Sequence, residues 1–292
     1  METLIDASRD GGRIRFTETY STTLHSFRRF LGGRDVLFKD MTQPLMGQYE
    51  RWLARNGVRR NTSSFYMRIL LAAYNRGVDR GLVRQRYPFK YVYTGVDKTT
   101  KRAVSAEVIR ALRSMDLDRR PRLAFARDIF LFSFYTRGMS FIDMAFLRPG
   151  NIVDGRLQYV RRKTKRPLSI CWEPCMQAIV DRYPPLPAGF LLPILHQEAE
   201  NEEDYYRQYK TTLFQVNSSL RILSAELGQE HPLTTYVARH SWASIAWSKR
   251  IPMSVISEGM GHNTEKMTRI YLASLDSSEV DRANRLVFQE LL

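Results

Sequence analysis

The chain has 292 residues, of which 43% are hydrophobic, enough for two ordinary domains with packed cores. No segment approaches the roughly 20 uninterrupted apolar residues that cross a bilayer, and the N-terminus lacks an apolar signal region, so we expect a cytoplasmic protein without membrane contact. The two cysteines, Cys171 and Cys175, have a spacing that fits neither a redox motif nor an obvious zinc site. We therefore expect neither a metal nor a disulfide.

The positive charge is concentrated at the N-terminal end. The formal net charge is +15, and residues 1–104 contain 20 Lys or Arg against 9 Asp or Glu, so that +11 falls in this third of the chain. Such a basic segment is typical of a surface that binds a polyanion. Charge alone does not separate nucleic acid from an acidic membrane or from a solvated basic face.

The N-terminal third predicts a polar tail followed by three helices. Residues 1–17 are assigned to the tail. Apolar residues at near-helical spacing indicate the first helix: Tyr20, Leu24, Phe27 and Leu31. Thr42 is expected to cap a second helix that ends before Gly57, and a third helix is expected to begin after Asn61 and to end near Gly81. These elements predict a helical-bundle domain.

The rest of the chain predicts a larger, mainly helical domain. Residues 95–104 have no apolar periodicity and are expected to link the bundle, residues 18–94, to a second domain over 105–275. A buried helix is predicted over 123–135, and two β-prone runs around a basic turn predict a hairpin over 157–171. Further helices are predicted at 174–183, 202–226, 235–249 and 264–273. The expected fold class is mainly α with a small β-sheet.

Two segments near the C-terminus contain the residues that indicate chemistry. Arg239 and His240 lie in LTTYVARHSWAS, whereas His262 and, nine residues later, Tyr271 lie in GMGHNTEKMTRIYLA. A tyrosine phenol can break a phosphodiester without water, because the phosphotyrosyl ester conserves the bond energy for rejoining. Guanidinium groups match two phosphate oxygens at once. The residues indicate strand cleavage and rejoining that need no nucleotide or metal.

Together these segments resemble the signature of the tyrosine recombinase or phage integrase family, which is HxxRH, then GH, then a nucleophilic tyrosine. Residues 130–147 are similar to the family's first arginine box and residues 160–170 to its lysine hairpin, while the N-terminal helices resemble its SAM-like core-binding domain. The resemblance implies an integrase-like catalytic domain that acts on double-stranded DNA without a cofactor. It also implies a homotetramer on two DNA sites, which exchanges strands through a 3′-phosphotyrosyl intermediate and a Holliday junction.

The resemblance assigns a role to each catalytic residue. Tyr271 is the nucleophile, and Arg239, with an arginine from the first box, neutralises the nonbridging phosphate oxygens. Lys163 at the hairpin tip, or Lys165 as second choice, protonates the leaving 5′ oxygen. His262 donates a hydrogen bond to the phosphate. DNA contacts are expected from Arg162, Lys165 and His240, although His240 can instead brace the site from behind.

The sequence departs from the family pattern at two positions. Tyr236 occupies the first position of HxxR, and a tyrosine, with an ordinary pKa near ~10, is a poor base at neutral pH. We expect it to donate a hydrogen bond, and the base for Tyr271 stays unassigned. Ser140 occupies the position of the first arginine, where S-x-x-D indicates a helix cap. We favour Arg137, one helical turn earlier, as the phosphate ligand, followed by Arg161 or Arg162.

Three matters stay open at the level of sequence. The tail Asp276–Leu292 contains apolar residues and can dock on a neighbouring protomer or on its own domain. A type IB topoisomerase-like enzyme or a non-catalytic DNA-binding protein on a recombinase scaffold would share these motifs. Relaxed topoisomers would identify the first, and failure to form a covalent DNA adduct the second. The outcome of recombination can be integration, excision, inversion or resolution.

Overall fold

The chain divides into two compact units, Met1–Thr99 and Thr100–Leu292, and the division falls inside the predicted linker. The computed structural model describes residues 1–10, 14–97 and 102–272. None of the helices in this described part is long and apolar enough to span a membrane. Each unit has its own hydrophobic core, as expected for a chain of this length.

The described part of the N-terminal unit is a bundle of four helices. They are α1 Glu2–Asp10, α2 Ile14–Phe30, α3 Gln43–Arg55 and α4 Arg60–Asp79. Their apolar faces meet in a core rich in aromatic and methionine side chains: Phe27, Met46, Tyr49, Met67, Leu70 and Tyr74. As predicted, Thr42 caps α3 by accepting from the Leu45 N–H at 3.4 Å. Gly57 follows the helix with a left-handed backbone, φ +72°.

The prediction of a tail over residues 1–17 was wrong. Helix α1 packs on α2, and the side chains of Leu4 and Ile5 contact a small cluster that includes Tyr20 and Ala73. Most residues of this segment are polar, so its sequence lacks the long apolar periodicity that predicts a helix. A short amphipathic helix therefore opens the bundle.

The predicted linker also begins too early. Asn61 of α4 exchanges two hydrogen bonds with the backbone of Asp97, at 3.1 and 2.7 Å, and the Ser64 hydroxyl donates to the Gly95 carbonyl. These bonds hold residues 95–97 against the end of the bundle. A lack of apolar periodicity did not distinguish a segment held by polar bonds from a free linker.

The described part of the C-terminal unit contains eight α-helices, one short 3-10 helix and three strands, which confirms the predicted fold class. The helices are α5 Ala106–Ser114, α6 Pro121–Tyr135, α7 Phe141–Ala145, α8 Pro174–Val180, α9 Glu202–Glu226, α10 Thr235–Ser248, α11 Met253–Gly259 and α12 Glu265–Leu272. The strands are β1 Ile152–Val153, β2 Arg156–Val160 and β3 Pro167–Cys171. The bounds of α9 are those predicted from the sequence.

Helix α6 is the centre of this unit. It contacts α5, α8, α9 and α10, and its middle residues Ile129, Phe130 and Phe132 are fully buried. Its one buried carboxylate, Asp128, accepts from the Arg182 guanidinium at 2.7 Å and from the Tyr183 hydroxyl at 2.9 Å, as a buried charge requires. These bonds tie the middle of α6 to Arg182 and Tyr183, which follow α8.

The three strands form one antiparallel sheet in the order β1-β2-β3. Strands β2 and β3 pair from Arg156 opposite Cys171 to Val160 opposite Pro167, so that the turn between them is RRKTKR, residues 161–166. The predicted hairpin with a basic tip is thus confirmed. Leu157 and Ile170 face each other and anchor the hairpin in the core.

Candidate active site

Arg239 is positioned by the packing of α10 against the end of α6. Two consecutive residues with a left-handed backbone follow α6, Arg137 with φ +61° and Gly138 with φ +75°. A Cβ atom added to Gly138 would lie 2.6 Å from the Arg239 Cα atom, so only glycine permits this approach. The chain near the first arginine box therefore touches the RH segment, although about 100 residues separate them.

The Arg239 guanidinium is buried, with the residue 3% exposed, and is held by fixed acceptors. Nη1 donates to the Gly138 carbonyl at 2.7 Å. Nη2 donates to the Met260 carbonyl at 2.6 Å and contacts His262 Nε2 at 3.0 Å. The two sequence segments that resemble the recombinase signature thus meet through Arg239 and His262.

His262 is equally buried and contacts a second side chain. Its Nδ1 lies 2.9 Å from the Oγ1 of Thr268, a fully buried residue of α12. Burial, followed by the positive charges of Arg239, Arg161 and Lys163, lowers the pKa of His262 from its ordinary 6.5 to about 4. The imidazole is therefore neutral at pH 7. Its predicted hydrogen bond to the scissile phosphate stays a prediction.

The basic hairpin is anchored beside His262 at both of its ends. The Arg161 guanidinium donates to the Gly261 carbonyl at 2.8 Å, and Arg166 donates to the carbonyl of His262 at 2.6 Å. Between them, Lys163 and Lys165 are exposed. A turn with fixed ends and exposed cations suits the predicted delivery of a proton by Lys163.

Tyr159 on β2 is a half-buried phenol that lies within the electrostatic influence of three arginines. Burial raises the pKa of Tyr159 above its ordinary value, and the carboxylate of Asp143 raises it further. The positive charges of Arg239, Arg161 and Arg137 act in the opposite direction. All three arginines are therefore close enough to affect this phenol, and one of them, Arg161, was predicted only as an alternative to Arg137.

The Ser140 hydroxyl makes a different bond from the one predicted. Ser140 is the N-cap residue of α7, but its hydroxyl donates to the Asp143 carboxylate at 2.6 Å instead of accepting from the helix backbone. The other Asp143 oxygen accepts from the Arg162 N–H at 2.9 Å. The predicted capping box is therefore wrong in its bonding, because a buried carboxylate needs two donors. Asp143 instead joins the first box to the hairpin.

The remaining predicted DNA contacts differ in exposure. Arg162 is exposed, and its guanidinium stacks 4.0 Å from the centre of the Phe146 ring, which orients it. Tyr236 is 52% exposed and packs edge-on against the His240 ring, with centroids 4.7 Å apart. His240 is only 6% exposed, which favours the bracing role over direct contact with DNA.

Two predicted features fall on parts of the chain that are not described. Tyr271 belongs to the last turn of α12, but its side chain lies outside the described part of the structure. The C-terminal tail, from Asp276 to Leu292, also lies outside the described residues. The backbone of α12 begins at Glu265, three residues after His262, so the helix that contains Tyr271 adjoins this site.

Comparison with known proteins gives a family match to the N-terminal part of the chain and structural matches to most of its length. Residues 1–92 match the family model of the phage integrase SAM-like domain. No curated protein sequence is significantly similar to the chain.

Three solved structures show the extent of the structural similarity. The post-cleavage complex of XerH site-specific recombinase with a palindromic difH substrate is 14% identical, with a TM-score of 0.65 over 97% of this chain and 83% of that one. A lambda integrase tetramer bound to a Holliday junction is 15% identical, with a TM-score of 0.64 over 88% and 71%. The Tn1549 transposon integrase with circular intermediate DNA is 14% identical, with a TM-score of 0.55 over 84% and 85%.

Similarity at these identities establishes a fold and not an activity. The matched ranges include both compact units, since each structure covers more than four fifths of this chain. Residues 1–92 therefore match the phage integrase SAM-like domain, and the chain shares the fold of these solved integrases and site-specific recombinases, as its sequence predicted.

Proposed function

We propose that the chain is a site-specific DNA recombinase, which cleaves and rejoins strands through a 3′-phosphotyrosyl bond to Tyr271. The observation that carries the proposal is the 3.0 Å contact between Arg239 and His262, residues of two separate signature segments. The hairpin with Lys163 is bonded to the same connection through Gly261 and its neighbour. This convergence supports a single site for phosphoryl transfer.

In the proposed step, the phenolic oxygen of Tyr271 attacks the phosphorus and a phosphotyrosyl bond forms. The bond from phosphorus to the 5′ oxygen breaks, and Lys163 gives that oxygen a proton. Arg239 neutralises charge that develops on the nonbridging oxygens, in a position fixed before DNA binds. Attack by a free 5′ hydroxyl reverses the step and rejoins the strand without an external energy source.

A second guanidinium is needed because Ser140 stands at the position of the first family arginine. Arg137 is half-buried, and among the described residues no hydrogen bond or ion pair occupies its guanidinium. Arg161 is buried, and its guanidinium donates a hydrogen bond to the Gly261 carbonyl. We assign Arg137 to the phosphate and Arg161 to the support of the hairpin. Burial alone does not exclude Arg161, because Arg239 is buried as well.

Tyr236 is assigned a hydrogen bond to the phosphate, since its exposed position leaves the ring accessible to a ligand. A phenol is a poor proton acceptor at neutral pH, so the base that receives the Tyr271 proton is not assigned. His240 supports Tyr236 from behind through the edge-on ring contact.

The partner is double-stranded DNA. The excess of Lys and Arg in the first third of the chain supplies contacts to phosphates, which give affinity without sequence specificity. The lambda integrase structure is described as a tetramer bound to a Holliday junction. We propose the same stoichiometry here, four protomers on two DNA sites.

Covalent trapping tests the proposal. Nicked duplexes that tile the DNA flanking the gene are incubated with the wild-type chain and with Tyr271→Phe, and adducts that survive denaturation are counted. The wild-type chain should form an adduct on one or a few duplexes, and Tyr271→Phe should form none while it binds DNA equally, because only one oxygen is removed. Equal adduct formation by both proteins would refute the assignment of Tyr271.

The products and the ionic conditions separate the proposal from other activities. Recombinant joints between two specific sites support a recombinase, whereas a ladder of relaxed circles supports the topoisomerase-like alternative. Cleavage should persist in excess EDTA and without ATP, and binding should weaken steeply with salt. Activity that is lost on chelation and restored by magnesium would indicate a metal-dependent nuclease instead.

A further inference from the structure

The hydrogen bonds around His262 determine which of its nitrogens bears the proton. An arginine guanidinium can only donate, so His262 Nε2, at 3.0 Å from Arg239 Nη2, must be the acceptor. A neutral imidazole then has its proton on Nδ1, which donates to Thr268 Oγ1 at 2.9 Å. The network thus assigns the proton from the partners on both sides of the ring.

The same bonds join two elements of the proposed site. Arg239 belongs to α10, and Thr268 belongs to α12, three residues before Tyr271 on the same helix. His262 lies in the connection between α11 and α12, and its ring contacts both Arg239 and Thr268. Residues separated by three on a helix lie on neighbouring turns of one face. A continuous path therefore runs from the helix of the proposed nucleophile to the guanidinium.

We propose that Thr268 is a positioning residue, which fixes the tautomer of His262 so that the ring accepts from Arg239 and ties helix α12 to that arginine. The inference rests on the proposed strand-transfer function, in which Tyr271 attacks a phosphate bound by Arg239. It gives His262 a role in the DNA-free protein that differs from donation to the phosphate.

The neutrality of His262 supports this arrangement. A protonated ring would place an Nε2–H directly against the Arg239 donors, and the surrounding cations Arg239, Arg161 and Lys163 all oppose that charge. The lowered pKa of His262, about 4, keeps the ring neutral at physiological pH. The acceptor at Nε2 is therefore present whenever the enzyme works near neutrality.

Removal of the Thr268 hydroxyl leaves only two unfavourable arrangements. With valine at position 268, the Nδ1–H of His262 is buried and loses its acceptor at Thr268 Oγ1. If the proton moves to Nε2 instead, a donor faces the donors of Arg239. In the second arrangement the guanidinium loses its acceptor at Nε2, and in both arrangements α12 loses its hydrogen bond to the ring that contacts Arg239.

Two variants and a matched control test the proposal. Thr268→Val removes the hydroxyl with little change of shape, and Thr268→Ser keeps it. Thr212→Val is the control, because Thr212 is also buried in this unit, where its hydroxyl donates to the Ile194 and Gln208 carbonyls away from the site. Each protein is compared in single-turnover cleavage at saturating DNA and in thermal unfolding.

We expect Thr268→Val to cleave roughly ten- to a hundredfold more slowly than wild type, with DNA binding unchanged. Thr268→Ser should recover most of the rate, and Thr212→Val should cleave normally even where it loses comparable stability. A cleavage rate for Thr268→Val equal to that of Thr212→Val would overturn the proposal.

A spectroscopic measurement decides the tautomer without any activity. The chain has five histidines, so 15N-histidine labelling with His262→Gln as the assignment control identifies the His262 ring nitrogens. The wild-type protein should show the proton on Nδ1, and Thr268→Val should shift it partly or wholly to Nε2. A proton on Nε2 in the wild-type protein overturns the proposal even if Thr268→Val does not fold.

The two readouts separate the two claims. If the wild-type chain forms no covalent adduct but its His262 bears the proton on Nδ1 and responds to Thr268→Val, the strand-transfer function fails and the control of the tautomer stands. If adducts form and the tautomer does not depend on Thr268, the function stands and this inference fails.

Discussion

The buried half of the candidate site and its exposed half are built in opposite ways. Arg239 and His262 are almost inaccessible and are held by carbonyl oxygens and by Thr268. Lys163 and Lys165 are exposed in a turn whose hydrogen bonds to the rest of the unit are made by Arg161, Arg162 and Arg166. Charge stabilisation benefits from groups that need no reorganisation, whereas a proton donor must reach an oxygen that moves away. The difference predicts that the two halves respond differently to substitution.

The largest contrast is expected between Arg239→Ala and Lys163→Ala. Both should lower cleavage by a hundredfold or more, by roughly the ~2.7–4 kcal/mol that one electrostatic donor contributes to a transition state. Arg239→Ala should also destabilise the fold, because the buried carbonyls of Gly138 and Met260 lose their donor, at about 1–3 kcal/mol each. Lys163→Ala should leave stability within about 0.5 kcal/mol of wild type.

Urea unfolding and single-turnover cleavage on the same preparations measure both effects. A loss of stability in Lys163→Ala as large as in Arg239→Ala would contradict the division into a fixed half and an exposed half. Retention of full cleavage by Arg239→Ala would remove the central residue of the proposed mechanism.

The next comparison is between Arg137, which is half-buried, and Arg161, which is buried and donates to the Gly261 carbonyl. Arg137→Ala should reduce cleavage by roughly a hundredfold, as for the loss of one donor to the developing charge, with little effect on stability. Arg161→Ala should lower stability, since the Gly261 carbonyl loses its donor. Ser140→Ala is the control, and its chemistry should change little. If Arg137→Ala cleaves normally, the role of phosphate ligand has to be assigned to Arg161 instead.

Local elements were predictable from the sequence because their signals are local. The bounds of α9, the Thr42 cap and the basic hairpin follow from spacing, capping chemistry and turn composition within about 25 residues. The helix predicted over 123–135 is also central and buried, because its apolar residues lie on every side of the helix. The order of the motifs further predicted which segments would meet.

The partners of individual side chains were not predictable. Arg161 donates to the carbonyl of Gly261, 100 residues away in the sequence. The Ser140 hydroxyl donates to the Asp143 carboxylate and does not cap the helix backbone, because that carboxylate is buried and needs a donor. The packing of the short helix that contains Ile5 was also not predicted, because it depends on a small apolar cluster and not on a long periodic run. Spacing along the chain defines which residues share a face, but burial and distant acceptors decide which bonds they make.

The buried half should also make stability depend on pH. The folded pKa of His262 is about 4 against an ordinary value of 6.5, so between these values the unfolded chain binds a proton that the folded chain does not. The contribution of His262 is therefore fully present above pH 6.5, falls as the pH drops to 4, and corresponds to about 3 kcal/mol in total. Arg239, Arg161 and Lys163 face the ring and maintain this direction.

Urea unfolding of wild type and His262→Gln from pH 7.5 to pH 4 isolates this contribution, because the other ionisable groups are common to both proteins. The stability difference between the two proteins should shrink as the pH falls. A difference that is independent of pH would show that His262 titrates normally in the folded protein.

The smallest effect is expected at Tyr236, which lies at the exposed edge of the site and contacts the buried His240. Tyr236→Phe removes one hydroxyl and keeps the ring that packs against His240, so stability should change by less than about 0.5 kcal/mol. If the hydroxyl donates to the phosphate in the transition state, cleavage should slow by roughly ten- to a hundredfold, the equivalent of ~1.5–3 kcal/mol. Tyr236→His restores a donor and should cleave at nearly the wild-type rate. Equal rates for Tyr236→Phe and wild type would confine Tyr236 to a packing role beside His240 and leave the phosphate to the arginines alone.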